Sequence, residues 1–180
     1  MATIFSHAIV AGALGQAGPD RYRGDWRFWY LLVICAIIPD ADVASRWFGI
    51  RYEDMWGHRG ITHSLFFALI LGGLAAARFR PHWRKDGWKL AALFFAVTAS
   101  HGLLDALTNG GRGIAFFAPF DRVRYFFPWR PIEVSPIGAS RFLTLRGQTV
   151  ILSELKWIWP PSILIGWSLF LVNRRHPASG

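Results

Sequence analysis

The 180-residue chain is 53% hydrophobic and 16% aromatic, and its 17% of charged residues falls below the roughly one quarter usual for a soluble domain, which excludes that class. Its formal charge of +9 sits mostly in short connections between apolar runs, the pattern of membrane-flanking loops rather than of a nucleic-acid partner. The one cysteine, Cys35, lies inside an apolar run, so neither an intrachain disulfide nor a thiolate metal knuckle can form.

The first apolar segment runs from Ala2 to Ala17, carries His7, and is closed by Gly18-Pro19. It lacks a basic leader region and reads as part of the mature bundle, not as a cleaved signal. The second, Phe28 to Ile38, is short and ends at Pro39-Asp40; it crosses with help from Trp26 and Arg27 or is partly buried in protein. The third spans Ile61 to Ala77, the fourth Trp88 to Leu107 and the fifth Ile151 to Val172. A membrane-crossing helix needs about 20 residues, with about 17 possible. The sequence therefore predicts one all-α domain over residues 1–180, an integral membrane helical bundle of about five apolar helices. The connection over 108–150 is too long for a bare linker and mixes Phe, Tyr and Trp with Arg122, Arg124 and Arg130. It is expected to form an interfacial aromatic and Arg-rich cap over the site.

Counting the segments as crossings places His7, Asp40, Asp42, His58, His63, His101 and Asp105 on one face of the membrane. Ionisable residues at membrane depth are costly and mark functional sites. Basic residues crowd the short connections of the opposite face, among them Arg21, Arg23, Arg27, Arg78 and Lys89. The positive-inside tendency then makes that face cytoplasmic and points the cluster to the periplasm or exterior. His82 and His176, among basic loop residues, are not expected to be ligands.

The spacing within the cluster is chemically informative. His101 and Asp105 in HGLLD are four apart and share a helical face. Asp40 and Asp42 in PDAD suit an extended turn whose carboxylates converge, or bridge two ions. His58 and His63 in HRGITH would splay on a continuous helix, so His58 is expected before a helix start and His63 in its first turn. Thr62 and Thr108 are candidate donors to orient the ligands. Imidazole and carboxylate without thiolate suit Zn²⁺, and also Mn²⁺ or Fe²⁺. Four histidines and three aspartates exceed what one catalytic zinc uses and fit two ions able to activate water for a phosphoryl displacement. Arg59 is placed to pair with an anionic substrate or a developing charge. Glu133 and Glu154 are the remaining acids of interest on that face, as ligand, general acid or helix-cap partner.

In this order, SHAIVAG, IIPDAD, HRGITHS and SHGLLDALTNGG, with SELKWIWPP, resemble the YdjM-type family of membrane-bound metal-dependent hydrolases over most of the chain. The resemblance implies an inner-membrane protein with metal ligands at His7, Asp40, Asp42, His58, His63, His101 and Asp105, and it brings Glu154 in as a family-like position. The motif style is more distantly similar to zinc-dependent phospholipase C and P1-nuclease-like enzymes. The expectation is a membrane hydrolase whose di-metal centre attacks a phosphoester of a lipid or lipid-linked substrate, with Arg59 on the phosphate and Glu154 as acid/base. The alternatives are a single-zinc lipid amidase or esterase, and a metal or proton transporter with ligands along the whole membrane depth.

Overall fold

In lipid every backbone N–H and C=O must be satisfied within its own segment, which drives apolar runs into helices. The computed structural model describes residues 1–79, 83–136 and 138–175, so His82 and His176 lie outside the described residues. Helix α1 (Ile4–Gly15) starts at Thr3, whose Oγ1 accepts the Ser6 N–H at 3.4 Å. After the short α2 (Asp20–Arg23), α3 (Trp26–Ile37) is capped by Asp25, whose carboxylate accepts the Arg27 N–H at 2.9 Å.

Beyond α3 the expected stop at Pro39 does not occur. Proline is tolerated in the first turn of a helical stretch, where its missing N–H is not needed. The chain continues directly as a 3₁₀-helix over Ile38–Phe48 and ends at Gly49, in the left-handed region at φ 72°. Asp40 and Asp42 thus ride on a helical continuation, not on an extended turn. The short second segment becomes part of a 23-residue apolar rod, Trp26–Phe48.

A 3₁₀ turn, Ile61–His63, precedes α4 (Leu65–Ala77), which Ser64 caps by accepting the Phe67 N–H at 3.1 Å. His63 therefore sits just before α4 rather than within its first turn. Helix α5 (Trp83–Ala106) follows, then α6 (Ala139–Phe142), α7 (Leu145–Trp157) and α8 (Trp159–Arg175). The predicted fifth segment is interrupted at Ile158, because Pro160 and Pro161 cannot donate backbone bonds to the preceding turn. Among the described residues there is no strand, only the isolated bridges Thr108–Ile132 and Ile114–Tyr125 that fold the long connection.

Helix α4 lies along α5, closely enough that a Cβ at Gly72 would come within 2.6 Å of the Phe95 nitrogen. Helix α1 packs against α3, α5 and α8. One end of the bundle is an aromatic core, with Phe79 and Phe94 stacked at 6.2 Å and Phe28 edge-on to Phe94 at 6.1 Å. The other end holds the polar cluster. Three stretches are long and apolar enough to cross a membrane, Trp26–Phe48, Asp86–Ala106 and Leu145–Arg174, and Ile4–Gly15 and Leu65–Ala77 are shorter apolar helices. The outward face of α8 exposes Ile163, Leu164 and Trp167, as a lipid-facing helix does.

Candidate metal centre

The cluster is assembled by four elements whose ends meet. α5 delivers His101 and Asp105, the 3₁₀ continuation delivers Asp40 and Asp42, the loop before α4 delivers His58 and His63, and α1 delivers His7. All seven are buried. Gly102 permits the approach, since a Cβ there would stand 2.9 Å from the His63 carbonyl oxygen. A buried ionisable residue without a partner is very costly, so the arrangement of lone pairs is the informative quantity.

His101 donates from Nδ1 to the Ala36 carbonyl at 2.7 Å, which leaves its Nε2 without a proton. His63 presents Nδ1 to Asp42 Oδ2 at 3.2 Å and to Thr62 Oγ1 at 3.1 Å, which likewise puts the proton on Nδ1. The two Nε2 atoms face each other at 3.1 Å, and in these neutral tautomers each presents a lone pair. Asp40 Oδ1 lies 3.4 Å from His101 Nε2 and 3.7 Å from His63 Nε2, and Asp105 Oδ2 lies 3.8 Å from His63 Nε2. Neither oxygen of Asp40 has a hydrogen-bond partner, nor does Asp105 Oδ2. With both rings neutral, two lone pairs and the Asp40 carboxylate point inward, beside an Asp105 carboxylate already paired with Arg59, and a cation among them would offset their repulsion. Tetrahedral Zn–N bonds of 2.0–2.1 Å would separate two imidazole nitrogens by about 3.3 Å, close to what is seen. Asp40, His63, His101 and Asp105 therefore fit a divalent ion.

A second group, Asp42, His58 and His63, also has its ligand atoms close together. Here, though, the atoms already bond one another. Asp42 Oδ1 is 2.6 Å from His58 Nδ1, and Asp42 Oδ2 accepts the Thr62 hydroxyl at 2.6 Å and the Arg59 N–H at 3.0 Å. Asp42 with Thr62 holds the ring of His63, the arrangement that orients metal-binding histidines. Tyr52 closes over His58 edge-on at 5.3 Å, and burial pushes its phenol above the ordinary range, keeping it neutral.

His7 stacks on His101 at 3.9 Å, with its Nε2 3.6 Å from Asp105 Oδ1 and both ring nitrogens unpartnered. It adjoins the centre but belongs to neither ligand group. Arg59 is fully buried, at the unusual φ of 66°, and its guanidinium donates to the Gly110 carbonyl at 2.9 Å and Thr108 Oγ1 at 3.0 Å and pairs with Asp105 at 3.1 Å. The side chain expected to meet an anionic substrate instead supports a ligand carboxylate. Of the roles open to Glu154, the structure gives it the helix-cap one and not that of ligand or acid. Its oxygens accept the Thr3 N–H and hydroxyl at 2.5 Å and the Ser6 hydroxyl at 2.6 Å, so it pins the start of α1. Glu133 pairs with Arg146 at 2.7 Å, away from the ligand groups.

Of the two candidate orienting donors, Thr62 donates to the Asp42 carboxylate, whereas the Thr108 hydroxyl donates to the Asp105 main-chain carbonyl and accepts from Arg59. The Ala36 carbonyl, which fixes His101, and the Ala2 N–H, which donates to Asp105 Oδ1 at 2.7 Å, are backbone groups and carry no residue-type signal. The long connection does cover the loop that bears His58. Arg124 donates to the His58 carbonyl at 3.0 Å and the Tyr52 carbonyl at 2.9 Å, and the Ala115 N–H donates to the Arg59 carbonyl at 3.2 Å.

An all-helical membrane bundle with a buried His/Asp cluster able to hold a metal is the class that fold and site define. The chain belongs to the family described as YdjM inner membrane protein, whose model matches residues 1–176. It is 39% identical over 166 residues to the Inner membrane protein YbcI of Escherichia coli (strain K12), an alignment covering 92% of this chain and 95% of that one. No solved structure matches it. The chain is accordingly a multi-pass inner membrane protein.

Proposed function

We propose that the chain is a membrane-embedded metal-dependent hydrolase acting on a phosphoester of a lipid or lipid-linked substrate, its centre facing the periplasm. One observation carries the reading: two imidazole Nε2 atoms 3.1 Å apart, beside an Asp40 carboxylate whose oxygens accept no hydrogen bond and an Asp105 carboxylate that Arg59 holds in place. Zn²⁺ suits this donor set best, with Mn²⁺ or Fe²⁺ as substitutes. When bound, the ion supplies Lewis acidity and a water of lowered pKa. The residues of the chain do the rest. Thr62 and Asp42 fix the tautomer of His63, the Ala36 carbonyl fixes that of His101, and Arg59 holds Asp105 in place. The apolar surroundings keep bulk water from the centre, which strengthens every charge interaction inside it.

A second reading, a one-ion lipid esterase or amidase, is favoured by the engagement of both Asp42 oxygens in hydrogen bonds, which leaves a single free ligand group. Phosphate release against fatty-acid release from a lipid panel, together with the number of ions per chain, separates the two. Purified protein without a bound transition metal, together with His101→Ala and Asp42→Ala variants as active as the parent, would defeat both.

A further inference from the structure

A groove of about 520 Å³ runs along the outside of the bundle to the edge of the centre. Its lining includes Ile4 of α1, Ile34 and Ile37 of α3, and Ile38, Asp40 and Val43 of the 3₁₀ continuation. The volume falls inside the roughly 300–1,000 Å³ of small-molecule sites. Asp40 is only 9% exposed, and neither of its oxygens is hydrogen-bonded. One residue thus belongs both to the ligand group and to the lining of the groove.

We infer that this groove takes one hydrocarbon chain of a membrane lipid, whose polar head then reaches the centre past Asp40. The inference rests on the hydrolase reading for what happens to the head, but not for the binding of the chain. Four isoleucines and a valine, with Met1, Ala41, Pro136 and Gly138, leave Asp40 as the one charged side chain of the lining, and most of these residues lie on apolar helices that face the bilayer. Ile4 is 51% exposed and Ile38 37% exposed, so the trough is open sideways to lipid rather than sealed. Continuity with Asp40 sets the polarity of the occupant: apolar along its length and anionic only where a metal ion would neutralise it.

The test uses the full chain in phosphatidylglycerol vesicles doped with a long-chain phosphatidic acid carrying a diazirine near the end of one acyl chain. Irradiation followed by peptide mass spectrometry is expected to place adducts on Ile34, Ile37 and Val43. Val43→Trp, which fills the groove, is expected to reduce them roughly tenfold, the equivalent of about two lost methylene contacts. Ile163→Trp on the outward face of α8 is expected to change nothing, and unchanged helix content by circular dichroism certifies that each variant is folded. Should Val43→Trp lose helix content, the pattern on the unsubstituted chain decides alone. Labelling does not require turnover, so groove adducts without phosphate release would keep the chain site and remove the hydrolase. Adducts as dense on Ile163, Leu164 and Trp167 as in the groove, or cross-linking chiefly to a second copy of the chain, would overturn the inference.

Discussion

His63 and His101 meet through their Nε2 atoms at 3.1 Å, each with its other ring nitrogen committed to a hydrogen bond. Neither ring can turn away, because Asp42 with Thr62 holds one and the Ala36 carbonyl holds the other. In their neutral tautomers the two rings turn facing lone pairs to one another, and an ion would take both. Substituting His101 by Ala is therefore expected to abolish stoichiometric metal while leaving helix content unchanged. Elemental analysis of the purified variant beside its circular dichroism checks this, and undiminished metal in His101→Ala would show that the ion lies elsewhere.

Thr62 touches no ligand atom that faces the ion, yet its hydroxyl donates to Asp42 Oδ2 at 2.6 Å. Removing such an orienting bond lowers metal affinity by about 10–100-fold. Thr62→Val keeps the volume and loses the hydroxyl, so competition against a chromophoric chelator is expected to give a weakened constant in that range. An affinity equal to that of the unsubstituted chain would mean that Asp42 does not govern His63.

The membership of the buried His/Asp cluster was legible in the sequence because cost makes it conspicuous: a histidine or aspartate near the end of an apolar run has few bland explanations. HGLLD marked a helical face correctly, since its spacing of four survives whatever surrounds it. PDAD misled because Pro39 has two meanings, helix stop or first-turn residue, and the choice depends on whether packing carries the helix onward. Glu154 left its role open for another reason. An acid near the membrane face looks the same in sequence whether it meets a metal or caps a distant helix, and its partners Thr3 and Ser6 lie about 150 residues away. The break at Ile158 was signalled by Pro160-Pro161, but an apolar run of uniform composition concealed it.

Glu154 fastens α7 to the first turn of α1 through three hydrogen bonds with no water-exposed alternative. Glu154→Ala strands the Thr3 N–H and two hydroxyls, and each buried unsatisfied group costs about 1–3 kcal/mol. A destabilisation of about 3 kcal/mol is expected, read as a lower midpoint of thermal or chemical unfolding. Metal content is expected to stay at the parental level at temperatures well below that midpoint. Loss of metal without loss of stability would return Glu154 to the centre itself.

Chelation should act on the same fold from the other side. An ion that binds only the folded state contributes about 2.7 kcal/mol at a concentration one hundred times its dissociation constant. Stripping the ion is thus expected to lower the unfolding midpoint of the parent and to leave that of His101→Ala where it was. An equal shift in both proteins would trace the effect to the chelator and not to the centre.

Arg59 and Gly111 form the tightest constraint around Asp105. Gly111 stands at φ 90°, and a Cβ there would collide with the Arg59 guanidinium. Breaking a buried ion pair by removing one partner costs about 3–5 kcal/mol, so Arg59→Met is expected to destabilise by that order. Arg59→Lys is not expected to restore the loss, because a point charge cannot reach Asp105, Thr108 and the Gly110 carbonyl at once. Gly111→Ala harms the protein in two ways, by displacing the guanidinium and by straining its own backbone. Only the first of these disappears once Arg59 is gone. A double-mutant cycle on unfolding free energy is therefore expected to give less than additive losses, with a coupling of at least about 1 kcal/mol. Full additivity would leave the glycine required for its backbone conformation alone.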